Sequence, residues 1–238
     1  MVPAGLDWGG GWRWLVPRPP RLNSMTAIKI CGVTRPEDAE LAAELGAWAV
    51  GINFWPESPR FVPGEQAVEL GALLKRRTQV VGVFVNPTLS EVAKAVEDSG
   101  LNMVQLHGDE GVQFCSEVAR RTGAKVIKAF PVASAADVHN AEAFRTDYHL
   151  FDTLAPSTVR GGTGQRFDWA HMARRRSEIP AILAGGINPE NAAEAIEVAQ
   201  PFAIDVASGI ESAPGVKDAV LMRALFEAAG SREAVAEA

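Results

Sequence analysis

Two side chains in this sequence have the chemistry of a proton-transfer pair. Cys31 lies in the segment KICG and Asp152 in the segment FDT. Lys29 lies two residues before Cys31 on the same face of a strand, where its positive charge would lower the pKa of the thiol. Apolar neighbours such as Phe151 would raise the pKa of Asp152 and suit it to act as a general acid. A base and an acid, without a metal or dinucleotide motif, indicate a proton-transfer isomerisation of a sugar phosphate.

Glycine-rich loops follow the last two apolar runs of the chain. Gly185 and Gly186 lie in LAGGIN, and Ser208 and Gly209 lie in ASGIE. Glycines allow backbone N–H groups to approach an anion closely. Each segment alone is also compatible with a simple tight turn, but the two together favour a phosphorylated small-molecule ligand. The segment GGTG at 161–164 adds a third flexible loop.

Arg60 is the candidate partner for a carboxylate. It lies in the proline-stiffened loop PESPRFV, and its planar guanidinium matches the geometry of a carboxylate. Trp55 and Phe61 flank the loop and could form the wall around an aromatic ring. The alternative is an exposed, solvated arginine.

These residues need a scaffold that brings the ends of several strands together. Short β-branched runs alternate with longer helical stretches, which predicts eight βα units and a parallel sheet buried on both faces. The predicted strands are Ala27–Cys31, Ala47–Phe54, Gln79–Val85, Met103–Leu106, Lys125–Phe130, Tyr148–Asp152, Ala181–Ala184 and Ala203–Val206. The count of eight favours a closed (β/α)8 TIM barrel over an open doubly wound sheet, since no early GxGxxG turn is present.

The helix boundaries carry their own signals. Thr34-Arg35-Pro36-Glu37 and Asn188-Pro189-Glu190 each offer a cap, a proline and an acid at a helix start. Glu91–Ser99 ends at Gly100, a candidate C-cap, and a last helix is predicted from Val216 to Ala229.

A barrel of this kind places its active site at the carboxyl ends of its strands. Polar or reactive groups gather at those ends. They are Lys29, Cys31, Asn53, Asn86, Gln105, His107, Lys128, Asp152 and Asp205. Any one of them could be a structural polar group, but as a set on one rim they indicate a functional site.

The composition excludes several classes of protein. The chain has 238 residues and a formal charge of −6, so it has no basic surplus for nucleic-acid binding. No apolar run reaches the length of a membrane span. The two cysteines are too few for a disulfide framework, Cys115 is interpreted as a buried apolar side chain, and a reducing cytoplasm is the expected compartment. The four histidines have no metal-ligand spacing, so no metal is predicted.

Residues 1–24 differ from the rest. They contain Trp8, Trp12 and Trp14, with four prolines and four glycines, and show no strand or helix periodicity. A disordered tail or an over-called translation start is expected, with an ordered appendage as the alternative. We therefore divide the chain into an N-terminal extension, 1–24, and one barrel domain, 25–238.

Nine segments closely resemble phosphoribosylanthranilate isomerase, and they occur in the same order. They are KICGVTRPEDA, GINFWPESPRFV, VGVFVN, VQLHGDE, IKAF, FDT, GGTGQRFDW, LAGGINPENA and DVASGIESAPGVKD. The resemblance runs from about Ile28 to Phe226. It implies an Amadori rearrangement of N-(5-phosphoribosyl)anthranilate to 1-(2-carboxyphenylamino)-1-deoxyribulose 5-phosphate, a step of tryptophan biosynthesis, with no cofactor.

The resemblance also implies roles for particular residues. Asp152 protonates the furanose ring oxygen, Cys31 removes the C2 proton, and Arg60 binds the anthranilate carboxylate. Gln105 and His107 support the substrate, and the phosphate cradle consists of Gly185, Gly186, Ser208 and Gly209. Lys29 is also predicted to bind the substrate, although the resemblance does not imply it. The expected partner is a small phosphorylated substrate, without nucleic acid or membrane, and the chain is expected to be a monomer or a homodimer.

Two other functions are weighed against this one. The sister Amadori enzyme of histidine biosynthesis, or a bifunctional form, would need a second phosphate grip near loops three and four, where VFVNPT and QLHGDE have no glycine-rich segment. A non-catalytic metabolite-binding barrel would be expected to lack Cys31 or Asp152, and both are present.

Overall fold

The computed structural model describes residues 26–153 and 168–230, which form a closed barrel of eight parallel strands. The strands are β1 (Ala27–Cys31), β2 (Ala49–Asn53), β3 (Gln79–Phe84), β4 (Met103–Leu106), β5 (Lys125–Val132), β6 (Tyr148–Thr153), β7 (Ala181–Leu183) and β8 (Ala203–Val206). Each strand pairs in parallel with the next, and β8 pairs with β1 to close the barrel. The predicted fold class is confirmed.

Helices follow most of the strands on the outside of the barrel. They are α1 (Pro36–Glu44), α2 (Gly64–Leu74), α3 (Leu89–Ser99), α4 (Val112–Thr122), α5 (Ala135–Asn140), α6 (Ala192–Ala199) and α7 (Ala219–Ala229). Short 3-10 turns occupy Ala141–Ala143, Trp169–Arg174 and Ser208–Ile210. A small antiparallel hairpin of β9 (Glu211–Ala213) and β10 (Val216–Lys217) follows β8.

Local sequence signals explain the ends of α3. The Thr88 hydroxyl accepts from the Glu91 backbone N–H, and the Glu91 carboxylate accepts from the Thr88 N–H, which together form a capping box. The helix therefore starts at Leu89, two residues before the predicted Glu91. Gly100 ends it with φ +62°, as predicted.

The predicted start of the last helix at Val216 is wrong. Val216 and Lys217 form β10 and pair with β9, so the backbone there is extended. Asp218 then caps α7, because its carboxylate accepts from the N–H groups of Val220 and Leu221.

The start of α1 also differs in part. Pro36 opens the helix as expected, but Arg35 is the N-cap and makes no side-chain capping bond. The Thr34 hydroxyl donates to the Gly215 carbonyl at 2.6 Å and ties this helix start to the β9–β10 hairpin.

The alternation of side chains along each strand separates two cores. Ile28 and Ile30 of β1 point outward and pack in the large core beneath the helices. The inward side chains include Met103, Ile127 and Leu150, which fill the barrel interior. Several strands place a polar side chain at their carboxyl ends, among them Gln105, Asp152 and Asp205, so one mouth of the barrel can carry a site.

No helix within residues 26–153 and 168–230 is long and apolar enough to cross a membrane. The same residues contain no cluster of three metal-ligating side chains. The N-terminal extension, 1–24, and the predicted glycine loop at 161–164 lie outside the described residues.

Candidate active site

A cavity of about 460 Å³ opens at the carboxyl ends of the barrel strands. Its wall includes nine of the ten predicted site residues: Cys31, Arg60, Gln105, His107, Asp152, Gly185, Gly186, Ser208 and Gly209. The barrel topology therefore brings together side chains that are as much as 178 positions apart between Cys31 and Gly209. The tenth, Lys29, lies below the cavity and is fully buried.

Lys29 and Cys31 share the inward face of β1. Lys29 Nζ lies 2.8 Å from Asp205 Oδ1 on the neighbouring strand β8, and its positive charge also acts on the Cys31 thiol. Gly51 on β2 makes room for this arrangement, because a Cβ there would lie 2.9 Å from Cys31 Sγ and 3.3 Å from Lys29 Nζ. The floor of the cavity is thus a thiol above a buried ion pair.

Lys29 acts on the pKa of Cys31 in the expected direction, but the pKa of the thiol is raised all the same. Burial raises the pKa of the thiol, the negative charge of Asp205 raises it further, and the opposing effect of Lys29 is smaller. Asp205 also neutralises much of the Lys29 charge, and together with the thiol it raises the pKa of Lys29. The surroundings of Cys31 thus favour the thiol over the thiolate.

Asp152 lies at the end of β6 beside an imidazole. His107 Nε2 is 3.4 Å from Asp152 Oδ2, and Gln105 Nε2 is 2.9 Å from His107 Nδ1. An amide nitrogen only donates, so Nδ1 accepts and the ring proton lies on Nε2, on the side of the carboxylate. Gln105 Oε1 is buried without a partner among the described residues. Gln105 thus orients His107, and His107 in turn faces Asp152.

The two glycine loops are close-packed. Gly185 and Gly186 have φ values of +88° and +67°, which side chains other than glycine adopt at a cost. A Cβ at Gly209 would lie 2.0 Å from the Ile187 carbonyl oxygen, so the two loops touch through their backbones. Ser208 begins the 3-10 turn that leads directly into β9. This is the bare, converging backbone that an anion cradle requires.

Arg60 reaches the cavity, but a carboxylate of the protein already binds one of its edges. Its Nε and Nη2 atoms donate to Glu211 Oε1 and Oε2 at 2.8 and 2.6 Å. The second edge, formed by Nη1 and Nη2, makes no hydrogen bond with the residues that the structure describes. Trp55 lines the cavity as expected, whereas Phe61 lines a separate cavity nearby.

Three charged residues of the site received no role from the sequence. The sequence indicates Asp205 only as a polar strand end and Glu211 only as part of a glycine loop, and it predicts a helix that includes Lys217. An arginine buried near a reactive site requires a counter-charge, and that signal could have directed attention to Glu211. No comparable signal exists for Lys217, because its partners are mainly backbone carbonyls.

The chain is similar to a family of known enzymes along most of its length. The family model for N-(5'-phosphoribosyl)anthranilate isomerase matches residues 28–228. A protein of Geobacter metallireducens named N-(5'-phosphoribosyl)anthranilate isomerase is 44% identical over 199 residues, which are 84% of this chain and 96% of that protein.

Solved structures give the same result. The crystal structure of monomers generated from dimeric phosphoribosylanthranilate isomerase of Thermotoga maritima has a TM-score of 0.76 and 36% identity, and covers 87% of this chain and 99% of its own. A phosphoribosylanthranilate isomerase in complex with reduced 1-(o-carboxyphenylamino)-1-deoxyribulose 5-phosphate has a TM-score of 0.74 and 37% identity, with coverages of 87% and 99%. The chain therefore belongs to the N-(5'-phosphoribosyl)anthranilate isomerase family.

Proposed function

We propose that this chain is a cofactor-independent aldose–ketose isomerase of tryptophan biosynthesis. It converts N-(5-phosphoribosyl)anthranilate to 1-(2-carboxyphenylamino)-1-deoxyribulose 5-phosphate by an Amadori rearrangement. The observation that supports this most is the shared cavity, whose wall carries Cys31, Asp152, Arg60 and two glycine loops. An acid, a base and binding groups for both ends of the substrate thus face one volume.

Two proton transfers that involve the protein lead to the enolamine, and a final tautomerisation adds a proton at C1 and removes the hydroxyl proton at C2. Asp152 gives a proton to the furanose ring oxygen, the C1–O bond breaks, and the nitrogen lone pair forms a Schiff base at C1. Cys31 then removes the C2 proton, and the electrons of that C–H bond form an enolamine, which tautomerises to the ketone. Each step moves only protons and the substrate's own electrons, so side chains suffice.

Binding at both ends positions the reacting atoms. The phosphate lies in the cradle formed by Gly185, Gly186, Ser208 and Gly209, and the anthranilate carboxylate binds the second edge of Arg60. A substrate held at two ends presents its C2 proton to a base in one orientation, which lowers the entropic cost of the transition state. Lys29 stabilises the thiolate of Cys31 once the proton has left, since its positive charge lowers the pKa of the thiol.

Loops three and four support a single activity over a bifunctional one. The Glu110 carboxylate accepts from the backbone N–H groups of Asn86 and Gly108, at 2.8 and 2.9 Å, and from Lys128 Nζ at 3.0 Å. An internal anion thus uses the donors that a second substrate phosphate would need.

We further propose that the chain acts in the cytoplasm as a monomer or a homodimer, on this small phosphorylated substrate alone. Both cysteines are free, which suits a reducing compartment. The Thermotoga maritima relative is described in dimeric and monomeric forms.

The decisive experiment removes the acid and the base separately. Cys31→Ala and Asp152→Asn are each expected to lower kcat by about 10²- to 10⁴-fold, because each proton transfer loses its side chain. The measurement is the steady-state formation of 1-(2-carboxyphenylamino)-1-deoxyribulose 5-phosphate. Cys115→Ala is the matched control, since this cysteine is buried in α4 away from the cavity.

Near-wild-type turnover of either variant would refute its assigned role. Complementation of a tryptophan auxotroph and of a histidine auxotroph tests the substrate: rescue of the tryptophan strain alone is expected, and rescue of both would show a bifunctional enzyme.

A further inference from the structure

Arg60 is held by a buried carboxylate that has no part in the reaction described above. Glu211 accepts two parallel hydrogen bonds from its guanidinium, and the Glu211 side chain is only 5% exposed. Such a bidentate pair fixes the plane of the guanidinium as well as its distance. The direction in which Arg60 presents its remaining N–H groups is therefore set by Glu211.

Lys217 fixes Glu211 in turn. Its Nζ donates to Glu211 Oε1 at 2.8 Å, to the Cys31 carbonyl at 2.6 Å and to the Ala207 carbonyl at 3.0 Å. These three bonds use every ammonium hydrogen, and the side chain is fully buried. The Glu211 carboxylate is thus tied to the backbone at the end of β1 and directly after β8.

The stem of Arg60 has a similarly fixed path. It crosses Gly32, where a Cβ would lie 2.4 Å from Arg60 Cδ and where φ is +69°. With the stem confined at Gly32 and one edge bound by Glu211, the guanidinium has a single orientation. Arg60 lines the cavity, and its second edge makes no hydrogen bond to the residues that the structure describes, so it is left for a ligand.

We propose that Glu211, held by Lys217, is a positioning residue that turns the second edge of Arg60 toward the carboxylate of the substrate. A guanidinium has two edges that each bind a carboxylate through paired N–H groups, so one arginine can bridge Glu211 and the substrate. The inference deepens the proposed function and rests on it. It assigns to the β9–β10 hairpin the alignment of the anthranilate end of the substrate.

The charge of Glu211 acts on substrate affinity in the opposite direction to its positioning of Arg60. Its negative charge repels the substrate carboxylate, so removing it would strengthen binding if charge mattered more than orientation. In Glu211→Gln, the amide nitrogen would face the Arg60 donors and break the paired geometry, and the charge would be removed as well. The direction of the change in affinity therefore shows which effect is larger.

The test compares two ligands on the full chain. One is reduced 1-(2-carboxyphenylamino)-1-deoxyribulose 5-phosphate, and the other is the same compound with hydrogen in place of the carboxylate. Glu211→Gln is expected to raise the dissociation constant of the first by roughly tenfold to a hundredfold, the effect of a small misplacement, and to leave that of the second unchanged. Calorimetric titration measures both.

A double-mutant cycle shows whether Glu211 acts through Arg60. In an Arg60→Ala background, Glu211→Gln is expected to cause no further loss of affinity for the carboxylate ligand. If Glu211→Gln does not fold, Glu211→Asp keeps the charge beside Lys217 but falls short of Arg60, and the same selective loss is expected.

Unchanged or tighter binding of the carboxylate ligand would overturn the inference, because charge competition would then outweigh positioning. An equal loss for both ligands would also overturn it, since that result indicates a general distortion of the cavity. Wild-type protein that bound neither compound would instead overturn the proposed function, and this inference with it.

Discussion

The basicity of Cys31 is a balance between charges that lie directly beneath it. Burial and Asp205 raise the pKa of the thiol, and Lys29 opposes them. A higher pKa gives a stronger base once the thiol is deprotonated, but leaves less of the thiolate at neutral pH. Lys29 Nζ and Asp205 Oδ1 lie 2.8 Å apart, so each charge also limits the effect of the other on the pKa of Cys31.

Replacing either member of the ion pair should shift the titration of Cys31, in opposite directions. Asp205→Asn is expected to lower the pKa of the thiol, because one raising charge is lost and Lys29 is no longer neutralised. Lys29→Met is expected to raise it, because the positive charge of Lys29 lowers the pKa of the thiol. The rate of alkylation by iodoacetamide against pH measures both shifts.

These measurements are made in a Cys115→Ala background, so that one thiol reacts. Burial raises the pKa of Cys115 to about 11, and its reaction would otherwise overlap with that of Cys31. Shifts in the same direction for Asp205→Asn and Lys29→Met would contradict the balance of charges described here.

At the scale of the elements, the sequence predicted which segments form strands better than where they end. β1, β4 and β8 have the predicted bounds. The predicted β2 began at Ala47, but the Ala47 N–H bonds to the Ala42 carbonyl in the turn after α1, so the strand starts at Ala49. Apolar character continues through such a turn, and periodicity alone does not show that the backbone has left the sheet.

The sequence predicts the site residues that lie at strand ends. It does not predict the site residues whose role depends on contacts between distant parts of the chain. Cys31 and Asp152 meet because all eight strands end at one mouth. The Arg60–Glu211 pair joins residues 151 positions apart, and no local pattern encodes such a contact. The pKa of Cys31 depends on Asp205 on β8, which is likewise beyond local sequence reasoning.

Replacing Gly185 tests whether the loop after β7 requires a glycine at this position. Gly185→Ala is expected to cost about 1–2 kcal/mol of unfolding free energy for the left-handed backbone alone. It should cost more because the new Cβ would lie 2.3 Å from Thr153 Oγ1 and 2.8 Å from Asp152 Oδ1. We also expect KM for the substrate to rise by about tenfold, as displaced phosphate contacts weaken binding. Urea unfolding and steady-state kinetics measure the two effects.

Gly100→Ala is the matched control. Gly100 also has a positive φ, +62°, but no atom lies within 4 Å of a Cβ built there. Gly100→Ala should lower the free energy of unfolding through the left-handed backbone alone and leave KM unchanged. Equal losses of stability in the two variants would mean that the close approach at Gly185 contributes nothing.

For the whole molecule, polar groups are concentrated at one mouth of the barrel, and the outer core is mostly apolar. One polar side chain of the outer core is His149, which is fully buried on β6 and packs edge-on against Phe130 and Phe151. Its Nε2 bonds to the Phe144 carbonyl at 3.1 Å, and its Nδ1 has no partner among the described residues. Burial lowers the pKa of His149 from 6.5 to about 4, with Arg175 and Arg145 adding to the effect.

This depressed pKa makes stability depend on pH. Above pH 6.5 the imidazole is neutral in both the folded and the unfolded chain, and His149 contributes no pH dependence. As the pH falls from 6.5 toward 4, the unfolded chain binds a proton that the folded chain excludes, so the free energy of unfolding decreases. The pKa shift of His149 corresponds to a loss of about 2 kcal/mol in the free energy of unfolding between pH 7.5 and pH 4.5.

His149→Leu should remove that part of the pH dependence, because leucine does not titrate. We expect the difference in unfolding free energy between pH 7.5 and pH 4.5, measured by urea denaturation, to be about 2 kcal/mol smaller in His149→Leu than in the wild type. Comparing differences cancels the change in packing that the substitution itself causes. His139→Asn is the control for the loss of an imidazole, since the His139 side chain is 66% exposed. A His149→Leu variant with the wild-type pH dependence would show that other groups cause the acid lability.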